Sequence, residues 1–417
     1  MKRIIILINL FLLINMIYAQ QMNIHEKKIE YQQRLYKQFL HMDTVDGGCV
    51  PAAKIWPEKS CEDAWILGNI CKGKGMVAGE YGIMDWSDGN VHLAQYIAWL
   101  GTEYKIQVEE KKQLSQIRKE ISYALFATER LDKASALKYN MPVKETGFLL
   151  RDDAPTDISK HFEGLHCVKS GKVCRTGTGD GNLMSQDQVI YLLWSFAILK
   201  ELTPDTMTSF INGKNLHEII AKKTALIIQS FSKKDWMIYD PYGDKVSLGN
   251  NATGYSIGIA RLGKIITKKG FNNAHSIFNG WPIWATLMLL DYEKNPIQNE
   301  VNMGMQLAMT SVIGSPSYYR FKNWCTGANM EIYLLIDALF RKRNVEEWKE
   351  TFHQMLVEAP ENGPCFKTKN CSNAEGWSGE NRWFHPDLRN GIHYETGAAF
   401  NGLDYLLLYN LYKIHYE

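Results

Sequence analysis

Behind an apolar leader, hydrophobic residues recur mostly at helical spacing, every three to four positions, with little of the alternation that marks strands. This pattern predicts helices at about 25–41, 89–106, 110–138, 186–202, 215–232, 252–268, 282–292, 301–312, 326–342, 345–358 and 397–414. Convincing strand is scarce; DWMIYDPYGDKV, at 235–246, is the one stretch that reads as a small hairpin. Long segments rich in Gly, Asp, Asn and aromatics separate the helices at 43–88, 140–185, 233–251 and 360–396. Loops of that length in a compact domain are usually functional or tied down by cross-links.

No Pro/Ser-rich linker, low-complexity tract or fixed-period repeat interrupts the chain, which argues against a solenoid and for a single domain over 20–417. Helices joined alternately by short and long connections predict an all-α fold, an (α/α)6-type toroid of helical hairpins with long disulfide-tied loops. In such a ring the inner helices begin at one rim, where the long loops gather into a cleft.

The first residues, MKRIIILINLFLLINMIYAQ, place Lys2 and Arg3 before an apolar run that ends at Ala19. That is the layout of a secretory signal peptide over 1–19, and the run is short for a membrane span. No cysteine stands at the cleavage point to carry a lipid, and no later stretch is long and apolar enough to cross a bilayer. The expectation is an exported protein, secreted or periplasmic, with no membrane span.

Eight cysteines in an exported chain read first as disulfides. Cys167 and Cys174 bracket CVKSGKVC, and Cys365 and Cys371 bracket CFKTKNC, two polar loops that a bridge would pin as ribbons. Cys49, Cys61, Cys71 and Cys325 remain, with at least two of the first three expected to pair. No CxxC pair favours zinc. With 47 basic and 45 acidic residues the net charge is only +2, leaving no basic surplus for a nucleic-acid groove. Aromatics make up 12% of the residues, including 12 Trp and 21 Tyr; they suit a large helical core and equally a cleft where rings stack on sugars.

Candidate chemistry sits at the mouths of the predicted helices. DWSDGNVHLAQ sets Asp85, Trp86 and Asp88 ahead of one helix; GFLLRDDAPTD gives Arg151, Asp152, Asp153 and Asp157 in a loop. MSQDQVIYLLW gives Asp187 and Gln188, and GIHYETGAAFNGLDY gives His393, Tyr394 and Glu395, with Asn401 and Asp404 further in. Any single acid in such a place can be a helix cap. A cap needs one side chain, however, and these mouths hold several acids beside Arg, His, Tyr, Gln or Trp. If they converge on one rim, two carboxyls can take different pKa values, one protonated by burial and one ionised, as glycoside hydrolysis requires. Asp187, Asp152, Asp153 and Asp88 are the expected acid/base groups. Trp86, Asp85, Arg151, Gln188, Tyr255, His393, Tyr394 and Glu395 are expected to bind substrate.

Alternatives use other residues. A lyase needs a base and a group to neutralise a uronate, and His385, His393, Tyr394, Arg382 or Tyr255 could supply them. A non-catalytic glycan-binding or surface-assembly protein would use the acids as caps or oxygen ligands for Ca²⁺, although none has the spacing of a calcium loop. No cofactor is expected. TGTGDGN, at 176–182, is expected to follow no strand and carries no P-loop lysine, so it reads as a flexible loop. DDAPTD resembles the magnesium-binding motif of class I terpene synthases, but export, Pro155 and the lack of a second metal motif argue against a prenyl diphosphate.

At DWSDGNVHLAQYIAWLGTEY, GFLLRDDAP, MSQDQVIYLLW and NGLDYLLLYNLY the chain resembles a set of exported proteins of Bacteroidetes-type bacteria, over most of its mature length. More distantly, DWSDG ahead of a helix is similar to the Trp-Ser/Thr-Asp-Gly stretch of unsaturated glucuronyl hydrolases and related (α/α) toroid glycosidases. That resemblance implies a toroid with Asp88 at the sugar-binding rim. Those enzymes' His-Asp pair before Gly-Phe is absent here, where GFLLRDD has the inverted order.

Overall fold

The computed structural model describes residues 24–40, 51, 54–56, 83–85, 89–142, 144–151, 165–167, 174–176, 184, 186–232, 238–240, 242–244, 252–271, 332–359 and 399–417. Helices dominate, and the strands among these residues are two or three residues long. In chain order the elements are α1 (24–34, closing in a π-turn Leu35–Phe39), β1 (Lys54–Trp56), β2 (Ile83–Asp85), α2 (Gly89–Glu109), α3 (Ser115–Lys138), β3 (Leu165–Cys167), β4 (Cys174–Thr176), α4 (Gln186–Leu202), α5 (Leu216–Ser232), α6 (Ala252–Thr267), α7 (Ile332–Arg341), α8 (Lys349–Glu358), β5 (Ala399–Phe400) and α9 (Leu403–Tyr416).

The helices form two layers, and composition decides which layer each joins. α2 is buried from Gly89 through Tyr104, α7 from Leu334 through Leu339, and α9 from Leu403 through Tyr412. A helix apolar on all sides has no face for water and must be enclosed by others. α5 instead buries Leu216, Ile220, Lys223, Thr224, Ile227 and Ile228, one stripe at helical spacing, and keeps the opposite face wet. Trp99 and Trp194 are among the largest fully buried side chains, each contributing roughly 1.5–3 kcal/mol or more by leaving water.

The inner helices α2, α4, α6 and α9 run in one direction. Asn90 meets Gln188 where α2 and α4 begin, and Gly101 meets Leu199 eleven residues further along both. A methyl group on Gly101 would come within 3.2 Å of Leu199 Cα, so glycine lets the two backbones approach this closely without displacement. His92 meets Asn401 just before α9, and Asn410 donates to Thr102 and Glu103, so α9 is parallel to α2 on its other side. Lys200 at the end of α4 caps the carbonyl of Ile266 at the end of α6, aligning those two helices as well. His415 of α9 bonds the Leu335 carbonyl of α7. The inner neighbours therefore lie in the order α6, α4, α2, α9, α7, with the last helix of the chain packed on the first inner one.

Outer helices return antiparallel through short turns. α2 and α3 are joined at Lys111, whose φ of 54° reverses the chain, and Thr203 bonds His217 at the turn between α4 and α5. α1 descends along α9, with His25 on Tyr409 and the Tyr31 ring 4.2 Å from that of Tyr405. α8 does the same, His353 against Tyr412 and Lys349 over Tyr416. Lys27 of α1 donates to the carbonyls of Val357 and Ala359, both at 2.7 Å, closing the C-terminal end of α8.

Most predicted helices are present within a few residues of their expected bounds. The predicted 110–138 helix begins only at Ser115, because the chain turns at Lys111. The predicted 397–414 helix begins at Leu403: Ala399–Phe400 pair with β1, and Gly402, at φ 73°, makes a left-handed bend with the Tyr31 ring 2.6 Å from where a Cβ would sit. The helices expected at 282–292 and 301–312 lie outside the described residues, as does much of the four long loops.

Two small antiparallel sheets add what helical periodicity does not reveal. β1 lies between β2 and β5, with Lys54 opposite both Asp85 and Phe400. β3 pairs with β4 so that Cys167 stands opposite Cys174. The strand pairing is that of the ribbon expected of CVKSGKVC, and because β4 ends at Thr176 the glycine-rich stretch 176–182, expected to follow no strand, does follow one. Of the 235–246 hairpin the described part is a turn, in which the Asp240 carboxylate accepts from the amides of Tyr242 and Asp244 at 2.9 and 2.8 Å. No helix among the described residues is long and apolar enough to cross a membrane.

Candidate functional site

Because α2, α4 and α9 are parallel, their N-terminal ends share one rim, where the Leu149–Arg151 segment joins α2 to the start of α4. Asn90, in the first turn of α2, is the junction. Its backbone amide donates to the Arg151 carbonyl at 2.9 Å and its side-chain amide to the Leu150 carbonyl at 2.8 Å. The same Nδ2 lies 3.4 Å from Gln188 Oε1 in the first turn of α4, a long, weak bond. The Met184 amide, two residues ahead of α4, donates to the Leu149 carbonyl at 3.2 Å. Asn90 and Gln188 are both buried. Asn90 Oδ1 is itself buried with no hydrogen-bond partner among the described residues.

A second anchor holds the same segment from the outer layer. Asp132 of α3 accepts from the amides of Thr146 and Gly147 at 2.7 and 2.9 Å, and Lys223 of α5 lies 3.0 Å from it. Lys223 also pairs with Glu145 at 2.7 Å, and Lys222 reaches Glu145 at 2.7 Å from the surface. Burial raises the Glu145 pKa, but the charge of Lys223 and the hydrogen bonds from both lysines outweigh it and hold the carboxyl at about 2. Further on, the Leu150 amide donates to the Leu131 carbonyl, and Leu149 and Leu150 are buried. Arg151 thus leaves a segment clamped to α2, α3 and α5, and its own side chain is half-buried.

On the α9 side of the rim, Asn401 Nδ2 and His92 Nδ1 are 3.2 Å apart, both buried. Asn401 Oδ1 accepts from the Leu403 amide, so one side chain both starts α9 and ties it to α2. Asp404 is fully enclosed between α9 and α1; burial lifts its pKa to about 7 against the opposing pull of the Tyr405 amide and the Arg34 charge. It faces Arg34 and Tyr31 of the outer helix and forms part of the packing behind the rim.

Of the residues expected from sequence, Arg151 and Gln188 are brought together through Asn90. Asp85 ends β2, opposite Lys54 in the sheet that also receives β5. Asp187 and Tyr255 lie in the first turns of α4 and α6, where the backbone alone is described. Asp88, Trp86, Asp152, Asp153, His393, Tyr394 and Glu395 lie outside the described residues. Asn90 and His92 were not anticipated, although the signal that marks Gln188 marks them too: polar side chains in the first turn of a helix otherwise apolar enough to be core. Among the described residues no group of three or more His, Cys, Asp or Glu side chains is placed to hold a metal ion. Compared with protein-family models, with curated proteins and with solved structures, the chain gives no match in any of the three.

Proposed function

We propose that this is an exported carbohydrate-active enzyme that cleaves glycosidic bonds between paired carboxylates at the rim where α2, α4 and α9 begin. The observation that carries the reading is the junction at Asn90. Asp88 stands two residues before it, Asp152 and Asp153 follow Arg151, and Asp187 precedes Gln188. Consecutive Cα atoms are ~3.8 Å apart, so the chain tethers each acid's backbone within about 8 Å of a junction residue. Four acids so tethered exceed what helix capping requires, and two carboxyls across a cleft are the equipment of glycoside hydrolysis.

The same reading completes the fold. The inner helices follow chain order from α2 through α4 to α6, and from α7 to α9, which closes back on α2. Residues 272–331, between α6 and α7, would supply the remaining hairpins of an (α/α) toroid, with the long loops at its rim. Cys167 and Cys174, cross-strand partners, would form a disulfide holding one of those loops.

The test is incubation of the mature protein with soluble acidic and neutral polysaccharides, following reducing ends and near-ultraviolet absorbance together. Reducing ends alone, abolished by one or more of Asp187→Asn, Asp152→Asn, Asp153→Asn and Asp88→Asn, are the expected result. Absorbance rising with them would replace hydrolysis by β-elimination. Binding without product would make the acids helix caps in a non-catalytic protein.

A further inference from the structure

We propose that Asn90 is the positioning residue of this site, setting the geometry between the Arg151 loop and the first turn of α4; the inference rests on the hydrolase reading above. Asn90 touches both arms at once, through two bonds to the Leu150–Arg151 backbone and a third, longer one to Gln188. The acids expected to act on opposite sides of the bond belong to those two arms, Asp152 and Asp153 to one and Asp187 to the other. Paired-carboxylate chemistry depends on the separation of its two groups, and a shift of about 1 Å can cost on the order of 10²-fold in rate.

The price of the arrangement points the same way. Asn90 Oδ1 is buried with no donor among the described residues, a penalty that an apolar side chain of similar size would avoid. Packing alone therefore does not explain an asparagine at this position. A junction that must donate to two acceptors on separate arms does.

The α2–α9 interface provides an internal control. Asn410 is buried, donates to Thr102 Oγ1 and Glu103 Oε2 at 3.1 Å each, and also leaves its Oδ1 without a partner among the described residues. It is the same chemical device against the far half of α2, away from the rim.

The experiment compares Asn90→Ala and Asn410→Ala with wild type in the full mature chain, on the polysaccharide that wild type cleaves best. Thermal midpoints, kcat and KM are measured for each. Expected is a fall in kcat of tenfold or more for Asn90→Ala with KM changed less than threefold, while Asn410→Ala loses thermal stability but keeps kcat within twofold. Should Asn90→Ala not fold, Asn90→Ser, which keeps one donor in a smaller volume, carries the same comparison. Equal effects of the two substitutions on kcat, or wild-type kcat in the Asn90 variant, would overturn the positioning role while leaving the hydrolase reading intact. A wild type that cleaves no glycan removes that reading and this inference with it.

Discussion

Lys223 Nζ lies 3.0 Å from Asp132 Oδ2, and both side chains are almost completely sealed from water. The pair joins α3 to α5, and through the Asp132 bonds to Thr146 and Gly147 it fixes the loop leading to Arg151. Removing one partner strands the other as a buried charge. Lys223→Met should therefore cost roughly 3–5 kcal/mol, whereas Lys223→Met with Asp132→Asn should recover part of that loss. Urea denaturation of the two variants checks both expectations. A single-variant loss under 1 kcal/mol would mean that water reaches the pair.

Glu145, on the same lysines, gives the acid limb of the stability curve. Its folded pKa of about 2 lies below the ordinary 4.5, so the unfolded chain binds its proton first. The contribution is present above about pH 4.5 and disappears as the pH falls toward 2. The urea midpoint of wild type should drop between pH 5 and 3 more steeply than that of Glu145→Gln. Parallel curves would contradict the linkage.

Asp404 acts with the opposite sign. Burial raises its folded pKa from 3.8 to about 7, so here the folded chain holds the proton more tightly. Its contribution is full below the ordinary carboxylate range and is lost as the pH rises through about 7. Asp404→Asn cannot ionise, and its Oδ1 can still accept from the Tyr405 amide. Relative to wild type, the variant should gain stability on going from pH 5 to 8, whatever its absolute stability, and urea midpoints at the two pH values decide this.

The helices were legible from periodicity because an enclosed helix and an amphipathic one both write their pattern within a single segment. The direction of α2, α4 and α9 was not, because it rests on contacts between residues far apart in the chain, such as His92 with Asn401. β5 was hidden for a related reason: Ala399 and Phe400 look helical until β1 and Gly402 impose an extended entry. At the rim, Gln188 and Arg151 stood out as polar residues beside acids. Asn90 passed for an ordinary first-turn residue, since its two-armed role exists only once Leu150 and α4 are folded against it.

The β3–β4 ribbon carries a covalent prediction. Cys167 and Cys174 are direct cross-strand partners in an antiparallel pair, where Cα atoms stand about 4.5–5.5 Å apart, inside the range a disulfide spans. Peptide mapping of protein exported to an oxidising compartment should recover the two cysteines in one linked species that separates on reduction. Recovery of both as free thiols, alkylated without prior reduction, would refute the bridge.

Gly101 tests the parallel pairing of α2 with α4. Alanine would gain about 1 kcal/mol in helix propensity, while its methyl would meet Leu199 Cα at 3.2 Å. The two effects oppose each other, so Gly101→Ala should alter stability by less than about 1 kcal/mol. Valine adds two more carbons at the same crossing and loses that propensity gain, and it should destabilise by roughly 1–3 kcal/mol. Urea denaturation of both variants checks this, and a Gly101→Val protein as stable as wild type would rule out the close crossing.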